Sequence, residues 1–386
     1  MKFHDISRPY IGLGAIGLSF ALSVAAPACL AADLPDITLF GRVQLDSVFY
    51  GDWANEGDDG LTVRRARIGA KGALSDRLSF QVDLDVSGSA APKLEDTFLR
   101  YQASDHTALT LGYNKIYHSL DAATSDADVP FMERSMVSSA FEVGAGGKWG
   151  VSALTSGKNW SLQYGVTLTD PNDTVGSKDG WGVGMRATYT PVLTPDHILH
   201  LGVSTYYRDE SDNLVGFSEQ PEVRKNGFKP FDSGIQVADH YRYMAVEAAT
   251  EWKRLSVQAE YGGMRLAAPS AGPASYAGAY VAATYSLTGE QRPYDAGRGK
   301  FGHLQPLRSL GDGGPGAVEL AARYSWLDLE DAEVGTRGHD ITVGVNWYAN
   351  TQVRLMANMV HFQSENMVDH SVSDGWVYGL RAQAKW

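Results

Sequence analysis

A chain of 386 residues is long enough for several ordinary domains, but a single large barrel escapes that rule. Mean hydropathy is only −0.23, and beyond the N-terminus no apolar run reaches the ~18 residues of a spanning helix, which excludes helical membrane spans. The net charge of −12 argues against a nucleic-acid partner, while 42 glycines and 19 tyrosines suit many strands and turns.

Residues 1–32 read as a secretory signal, with Lys2 and Arg8 as the positive region and Ile11 to Ala26 as the apolar region. Small residues follow, and cleavage is expected near Ala31 or Ala32. Cys29 is the sole cysteine and leaves with the signal. A lipidated Cys29 is the alternative, but Ala26-Pro-Ala-Cys29 is a poor lipoprotein box. The mature chain, 33–386, is expected to be one domain without disulfides.

From Asp36 on, alternating segments recur between turn residues. Thr38–Tyr50 sets Leu39, Val43, Leu45 and Phe49 against Arg42, Gln44 and Asp46. Thr62–Gly72 sets Ala66, Ile68 and Ala70 against Arg65, Arg67 and Lys71. Leu78–Ser87 alternates without a break, and Leu94–Tyr101 and Ala108–Asn114 complete a first group. After an irregular stretch, Lys115–Ala145, strands resume at Gly146–Leu154, Trp160–Thr169, Gly180–Thr190 and Ile198–Arg208. Asp209–His240 is a second irregular stretch, followed by Tyr241–Trp252, Leu255–Arg265 and Tyr276–Leu287. Beyond glycine-rich Thr288–Gly316 come Ala317–Leu329, Gly338–Trp347, Thr351–Phe362 and Gly375–Trp386.

An even count of sixteen segments of roughly ten residues predicts an all-β fold, a 16-stranded antiparallel transmembrane β-barrel with inward-folded loops. With the N-terminus in the periplasm, Gly51–Leu61, Lys115–Ala145, Asp209–His240 and Leu266–Ser275 become external loops. Ala73–Arg77, Gln102–Thr107, Thr155–Asn159 and Lys253–Arg254 become short periplasmic turns, and Thr288–Gly316 is a long exception on that side. Aromatics end many apolar faces: Phe49, Tyr101, Tyr113, Trp160, Tyr189, Tyr207, Trp252, Tyr285, Trp326, Trp347, Tyr378 and Trp386 form the belt expected against outer-membrane lipids. The last strand must pair with Thr38–Tyr50 to leave no open edge. A soluble sandwich or propeller would place the same alternation against a core.

A barrel this wide depends on what narrows and charges its lumen. Lys115–Ala145 is the candidate constriction by length and position, carrying Lys115, His118, Asp121, Asp126, Asp128, Glu133 and Arg134. Its acids oppose an anion unless they pair or point away. On the polar strand faces, Arg42, Arg65, Arg67, Lys71, Arg100, Arg186, Arg323, Arg354, Arg381 and Lys385 form a basic wall. Asp46, Asp83, Asp85, Asp96, Glu247, Glu251, Glu260 and Glu319 share those faces. Separated clusters would set up a transverse field that orients solutes; the plainer reading is pairing between neighbouring strands.

Other signals carry no chemistry. The glycines of Gly144–Gly150 precede no helix, Asp52–Asp59 lacks the spacing of a calcium loop, and the ten histidines show no paired metal spacing. No Gly-x-Ser-x-Gly elbow occurs, and no enzymatic activity, metal or cofactor is expected.

Arg64-Arg-Ala-Arg-Ile-Gly-Ala-Lys-Gly72, Leu74-Ser-Asp76 and Lys93-Leu-Glu-Asp-Thr-Phe-Leu-Arg-Tyr101 resemble the phosphate-selective porin family, the porin O and P type. Pro130-Phe-Met-Glu-Arg-Ser135, Ser286-Leu-Thr-Gly-Glu-Gln-Arg-Pro-Tyr-Asp295, Glu319-Leu-Ala-Ala-Arg-Tyr-Ser325 and Asn346-Trp-Tyr348 continue the likeness over nearly the whole mature chain. The resemblance implies a homotrimeric outer-membrane barrel of a Gram-negative bacterium. It implies that Lys115 to Arg134 belongs to the constriction, and that Thr288–Gly316, with Arg292, Arg298 and Lys300, folds into the periplasmic mouth. Well-studied members bind phosphate through clustered lysines; this constriction keeps Lys115 but is otherwise lysine-poor and acidic. The expected function is passive diffusion of small hydrophilic solutes, anions such as phosphate. The alternatives are a general or weakly cation-preferring porin, or a binding or enzymatic barrel.

Overall fold

The computed structural model describes residues 36–51, 59–88, 91–142, 147–168, 180–209, 214–225, 227–267 and 273–386. The expected signal with Cys29, the acidic residues 52–58 and the glycine run 144–146 lie outside the described residues.

Along the strands the usual rule of burial is inverted. Leu39, Leu45, Ile68, Leu111, Val151, Val246, Tyr261 and Leu380 are exposed, while Gln44, Asp46, Arg186, Glu247, Glu319, Arg354 and Arg381 are buried. A water-soluble sandwich buries its apolar face. This sheet turns that face outward, as a barrel in lipid must, and leaves no backbone edge unpaired.

Sixteen strands close the barrel. They are β1 (Ile37–Gly51), β2 (Gly60–Ala73), β3 (Leu78–Asp85), β4 (Thr97–Ser104, preceded by the short piece Lys93–Leu94) and β5 (Thr107–Asn114). β6 (Lys148–Ser156), β7 (Trp160–Thr167), β8 (Trp181–Leu193), β9 (His197–Asp209), β10 (His240–Trp252) and β11 (Leu255–Ala267) follow. β12 (Ala274–Ser286), β13 (Ala317–Asp328), β14 (Thr336–Tyr348), β15 (Val353–Asn366) and β16 (Val372–Lys385) complete the series. Each pairs antiparallel with its sequence neighbour, and β1 with β16 closes the ring from Arg42↔Lys385 to Gly51↔Trp376. The short connections are tight turns. Lys253 turns at φ 53 between β10 and β11, and Asn350 Oδ1 accepts from Gln352 N and Val353 N at 2.8 Å before β15.

The wall is uneven. β3 to β5 and β7 run 8 residues, β1 15 and β2 14, so those strands are shorter by roughly 20 Å. Phe49, Tyr101, Trp160, Tyr189, Trp252, Tyr285, Tyr378 and Trp386 are exposed on the outer face. Tyr113 lies on the same face but is covered, its ring 2.5 Å from where a Cβ on Gly147 would stand.

Three connections fold into the lumen. Residues 115–142 form two short helices, α1 (Leu120–Ala123) and α2 (Met136–Ala140). The stretch after β9, read from sequence as an irregular external loop, instead contains a hairpin, Leu214–Glu219 with Phe231–Val237. Its Phe217, Val223 and Phe231 are buried, and Phe217 and Phe231 cluster with α2 and wall tyrosines 206, 241, 243, 276 and 280. The long connection before β13 carries a small hairpin, Tyr294–Asp295 with Lys300–Phe301, whose Phe301 clusters with Leu120 and Ala249. The lumen is thereby filled along β9–β15 and left open along β2–β8.

The seam is tight at Gly41. It exchanges backbone hydrogen bonds of 3.1 Å with Trp386 in both directions, and a Cβ there would stand 2.7 Å from the Arg67 carbonyl as well as inside the Trp386 ring. Gly41→Val is therefore expected to destabilise the closed barrel by about 1–3 kcal/mol through overpacking. The midpoint temperature of the electrophoretic shift from folded to unfolded barrel should fall; an unchanged midpoint would show that the seam relaxes freely.

Candidate functional site

The loop after β5 is shaped by carboxylates that take its backbone donors. Ser119 caps α1 by accepting from Ala122 N at 2.9 Å, and Glu260 on β11 accepts from Leu120 N and Asp121 N at 3.2 and 2.8 Å. Ser135 caps α2, with Asp121 Oδ2 accepting from Ser135 N at 2.7 Å. Glu222 of the inward hairpin accepts from Met136 N at 3.2 Å and pairs with Arg323 at 2.6 Å.

The acids of this loop then meet the arginines of the wall. Asp126 pairs with Arg42 at 2.5 Å, Arg65 at 2.7 Å and Arg67 at 3.5 Å. Glu133 pairs with Arg64 at 2.8 Å, Arg65 at 3.4 Å and Arg381 at 2.8 Å. Arg381 also grips Asp46 across the seam with two hydrogen bonds of 2.7 Å and donates to the Met132 carbonyl. Burial pushes the Asp126 and Glu133 carboxyls up, but the surrounding guanidiniums outweigh it and hold both well below the usual carboxylate range. Two neighbouring arginines reach the same acid because of a bulge: Gln44 pairs with Arg65 and Leu45 with Val63, so Arg64 is the extra residue and turns inward with Arg65. Strict alternation assigns Arg64 to lipid, which is why sequence reasoning missed it; the run of arginines was the available signal.

Asp128 joins three elements. It accepts from Lys385 and His303, each at 3.0 Å, and its carbonyl accepts from Arg292 at 2.7 Å. Arg292 also pairs with Glu319 at 2.5 Å, so the connection before β13 is anchored to wall and loop together. Arg354 donates to the Val129 carbonyl at 2.9 Å and lies 4.7 Å over the Tyr348 ring; Arg323 lies 4.1 Å over Phe131. Arg186 pairs with Glu247 at 2.5 Å and donates to the Gly299 carbonyl at 2.7 Å. The basic wall is thus largely consumed in holding the loops.

Two sequence-assigned constriction residues are packing residues instead. His118 is buried, its Nε2 2.8 Å from the Ser138 carbonyl and its ring edge-on to Tyr243. Asp121 is a buried cap for Ser135. Arg134 donates to the Asp121 and Thr124 carbonyls at 3.0 and 2.8 Å.

What remains open is a pair of cavities on the β2–β8 side. One, near the rim of long connections, has a volume of about 350 Å³ and mixes Arg64, Arg65, Arg67, Lys93, Lys115 and Arg134 with Asp85, Glu95, Asp126 and Glu142. The other, near the rim of short turns, has about 340 Å³ and carries Lys71, Arg100, Lys115, Arg186, Arg298 and Lys300 against the single acid Asp96. Lys115 lines both. Arg100 is held 4.7 Å over the Phe98 ring, and Tyr117, Gln163 and Asn114 complete that wall.

An apolar-out barrel whose charged lumen is narrowed by inward loops is a porin of the outer membrane. The chain belongs to the phosphate-selective porin O and P family, whose model matches residues 37–386. Porin O of Pseudomonas aeruginosa is 26% identical over 385 residues, covering 87% of this chain and 85% of that protein. A Caulobacter vibrioides protein is 30% identical over 287 residues, covering 71% of this chain, which spans only 57% of that relative's length. Among solved structures, Vibrio cholerae OmpT in its trimer form aligns with a TM-score of 0.58 at 13% identity, covering 92% of this chain and 100% of that one. The anion-selective porin of Comamonas acidovorans aligns with a TM-score of 0.58 at 12% identity, covering 92% and 100%. At those identities the likeness is one of fold.

Glu133→Gln leaves Arg64, Arg65 and Arg381 facing one another without their shared acid. Removing one partner of such a buried cluster costs about 3–5 kcal/mol. The variant should fold as a barrel but release the loop, seen as faster proteolysis within residues 115–142 and as flickering single-channel current. Wild-type protection and steady current would contradict the anchoring role.

Proposed function

We propose that this porin carries small hydrophilic anions, phosphate among them, by passive diffusion across the outer membrane of a Gram-negative bacterium. The observation that carries the proposal is the division of charge in the lumen. Asp126 and Glu133 are saturated by wall arginines, and Asp128 by Lys385 and His303. The cavity along the turn rim therefore presents Lys71, Arg100, Lys115, Arg298 and Lys300 against Asp96. A low-dielectric wall focuses that excess onto a passing ion, which raises local anion concentration and disfavours cations.

In this reading the long connections face outside and the short turns face the periplasm. Solutes enter through the mixed-charge cavity, pass Lys115, and leave past Arg298 and Lys300 at the periplasmic mouth. Export depends on a cleaved segment over residues 1–32. Assembly is as a homotrimer, supported by family membership and by the trimeric form of one structural relative. The Comamonas porin, anion-selective by description, supports the sign of selectivity, and family membership supports phosphate as a solute.

Planar-bilayer recording in a salt gradient tests the proposal. The expected reversal potential is that of an anion-preferring channel, and Lys115→Glu should shift it toward cations. A cation-preferring wild type would instead favour a general porin governed by Asp85, Glu95 and Glu142 in the outer cavity. Absence of channel steps from folded protein would contradict the porin reading altogether.

A further inference from the structure

The loop acids fall into two physical classes. Asp126 and Glu133 are buried and each is held by several guanidiniums. Glu142, just beyond α2, differs. Its one ion-pair partner among the described residues is Lys115, at 3.4 Å, and the side chains stay 34% and 23% exposed. Water therefore reaches both groups, and the pair can open without stranding a charge in a dry site. It also stands where the two cavities meet, because Lys115 lines both.

We propose that Glu142 is a tethered competitor for Lys115, a built-in carboxylate that every passing anion must displace and that displaces the anion in turn. The proposal rests on the anion-channel reading above. A carboxylate fixed on the same loop has an effective concentration of millimolar or more beside the ammonium. It lowers the apparent affinity of any free anion for Lys115 and shortens its stay. Conduction needs binding strong enough to draw an ion in and weak enough to let it go. A lysine sharing its cavity with Arg100, Arg298 and Lys300 would, without Glu142, lean toward holding a multivalent anion. Glu142 shifts the balance toward release, so its role is in specificity and throughput. Burial pushes the Glu142 carboxyl up, but Lys115, Arg134 and His118 outweigh it and bring it down to about 2, so it is an anion at neutral pH, where phosphate competes with it.

The experiment is inorganic phosphate block of chloride current through the assembled wild-type channel and three variants. Glu142→Gln and Glu142→Ala remove the competitor, and either alone suffices if the other fails to assemble. Asp96→Asn removes the same charge from the turn-rim cavity, where it acts on Lys115 from a distance and makes no ion pair with it. Losing a partly exposed ion pair of up to ~1 kcal/mol should lower the half-blocking phosphate concentration about three- to five-fold in both Glu142 variants. Asp96→Asn should change it by less. Equal block in wild type and the Glu142 variants, no block in any of them, or an equal effect of Asp96→Asn overturns the competitor role. A cation-preferring reversal potential of the wild type, measured in the same bilayers, would overturn the channel reading on which it rests, so the two failures are distinguishable.

Discussion

The architecture of the lumen depends on neutralising carboxylates where water is scarce. An ionised acid removed from water is tolerated only when paired and hydrogen-bonded. Glu133 meets that condition through Arg64, Arg65 and Arg381, and Asp126 through Arg42, Arg65 and Arg67. These residues come from β1, β2 and β16, so the contact that folds the loop inward also ties the first strands to the last. Arg381 joins both functions, gripping Asp46 across the seam and Glu133 in the loop.

The same neutralisation sets the sign of the open space. A loop rich in acids lies in the lumen, yet Asp126 and Glu133 are paired to wall arginines, and of the loop's charged groups Lys115, Asp126, Arg134 and Glu142 line the outer cavity. Charge counted along the chain therefore misleads about charge presented to a solute. The connection before β13 adds to the effect. It is anchored by Arg292 to Glu319 and by His303 to Asp128, which leaves Arg298 and Lys300 projecting into the passage.

The strands were legible because alternation in a barrel has a single cause along every segment: one face meets hydrocarbon, the other the lumen. Boundaries differed by a few residues, and the pairing of the last strand with the first follows from closure. The lumen was less legible. Alternation counts residues and cannot see a bulge, so Arg64 was lost beside Arg65. The 214–237 hairpin carries charges that look like solvent exposure, but Glu222 is buried on Arg323 and Phe217 sits among tyrosines 241 and 276. His118 and Asp121 fell in the right loop, but their backbone and side-chain partners lie within it or on the filled side of the lumen. Which face of an irregular loop meets the wall is a long-range property, set by arginines that are up to some 250 residues away, as Arg381 is from Glu133.

The most direct test of this division of charge is a crystal structure of the assembled porin soaked in bromide, with rubidium soaked into a parallel crystal, both located by anomalous scattering. The account predicts bromide beside Lys115, Arg298 and Lys300 in the open cavities and no rubidium at Asp126 or Glu133. Rubidium bound at those two carboxylates, with no bromide in the cavities, would contradict it.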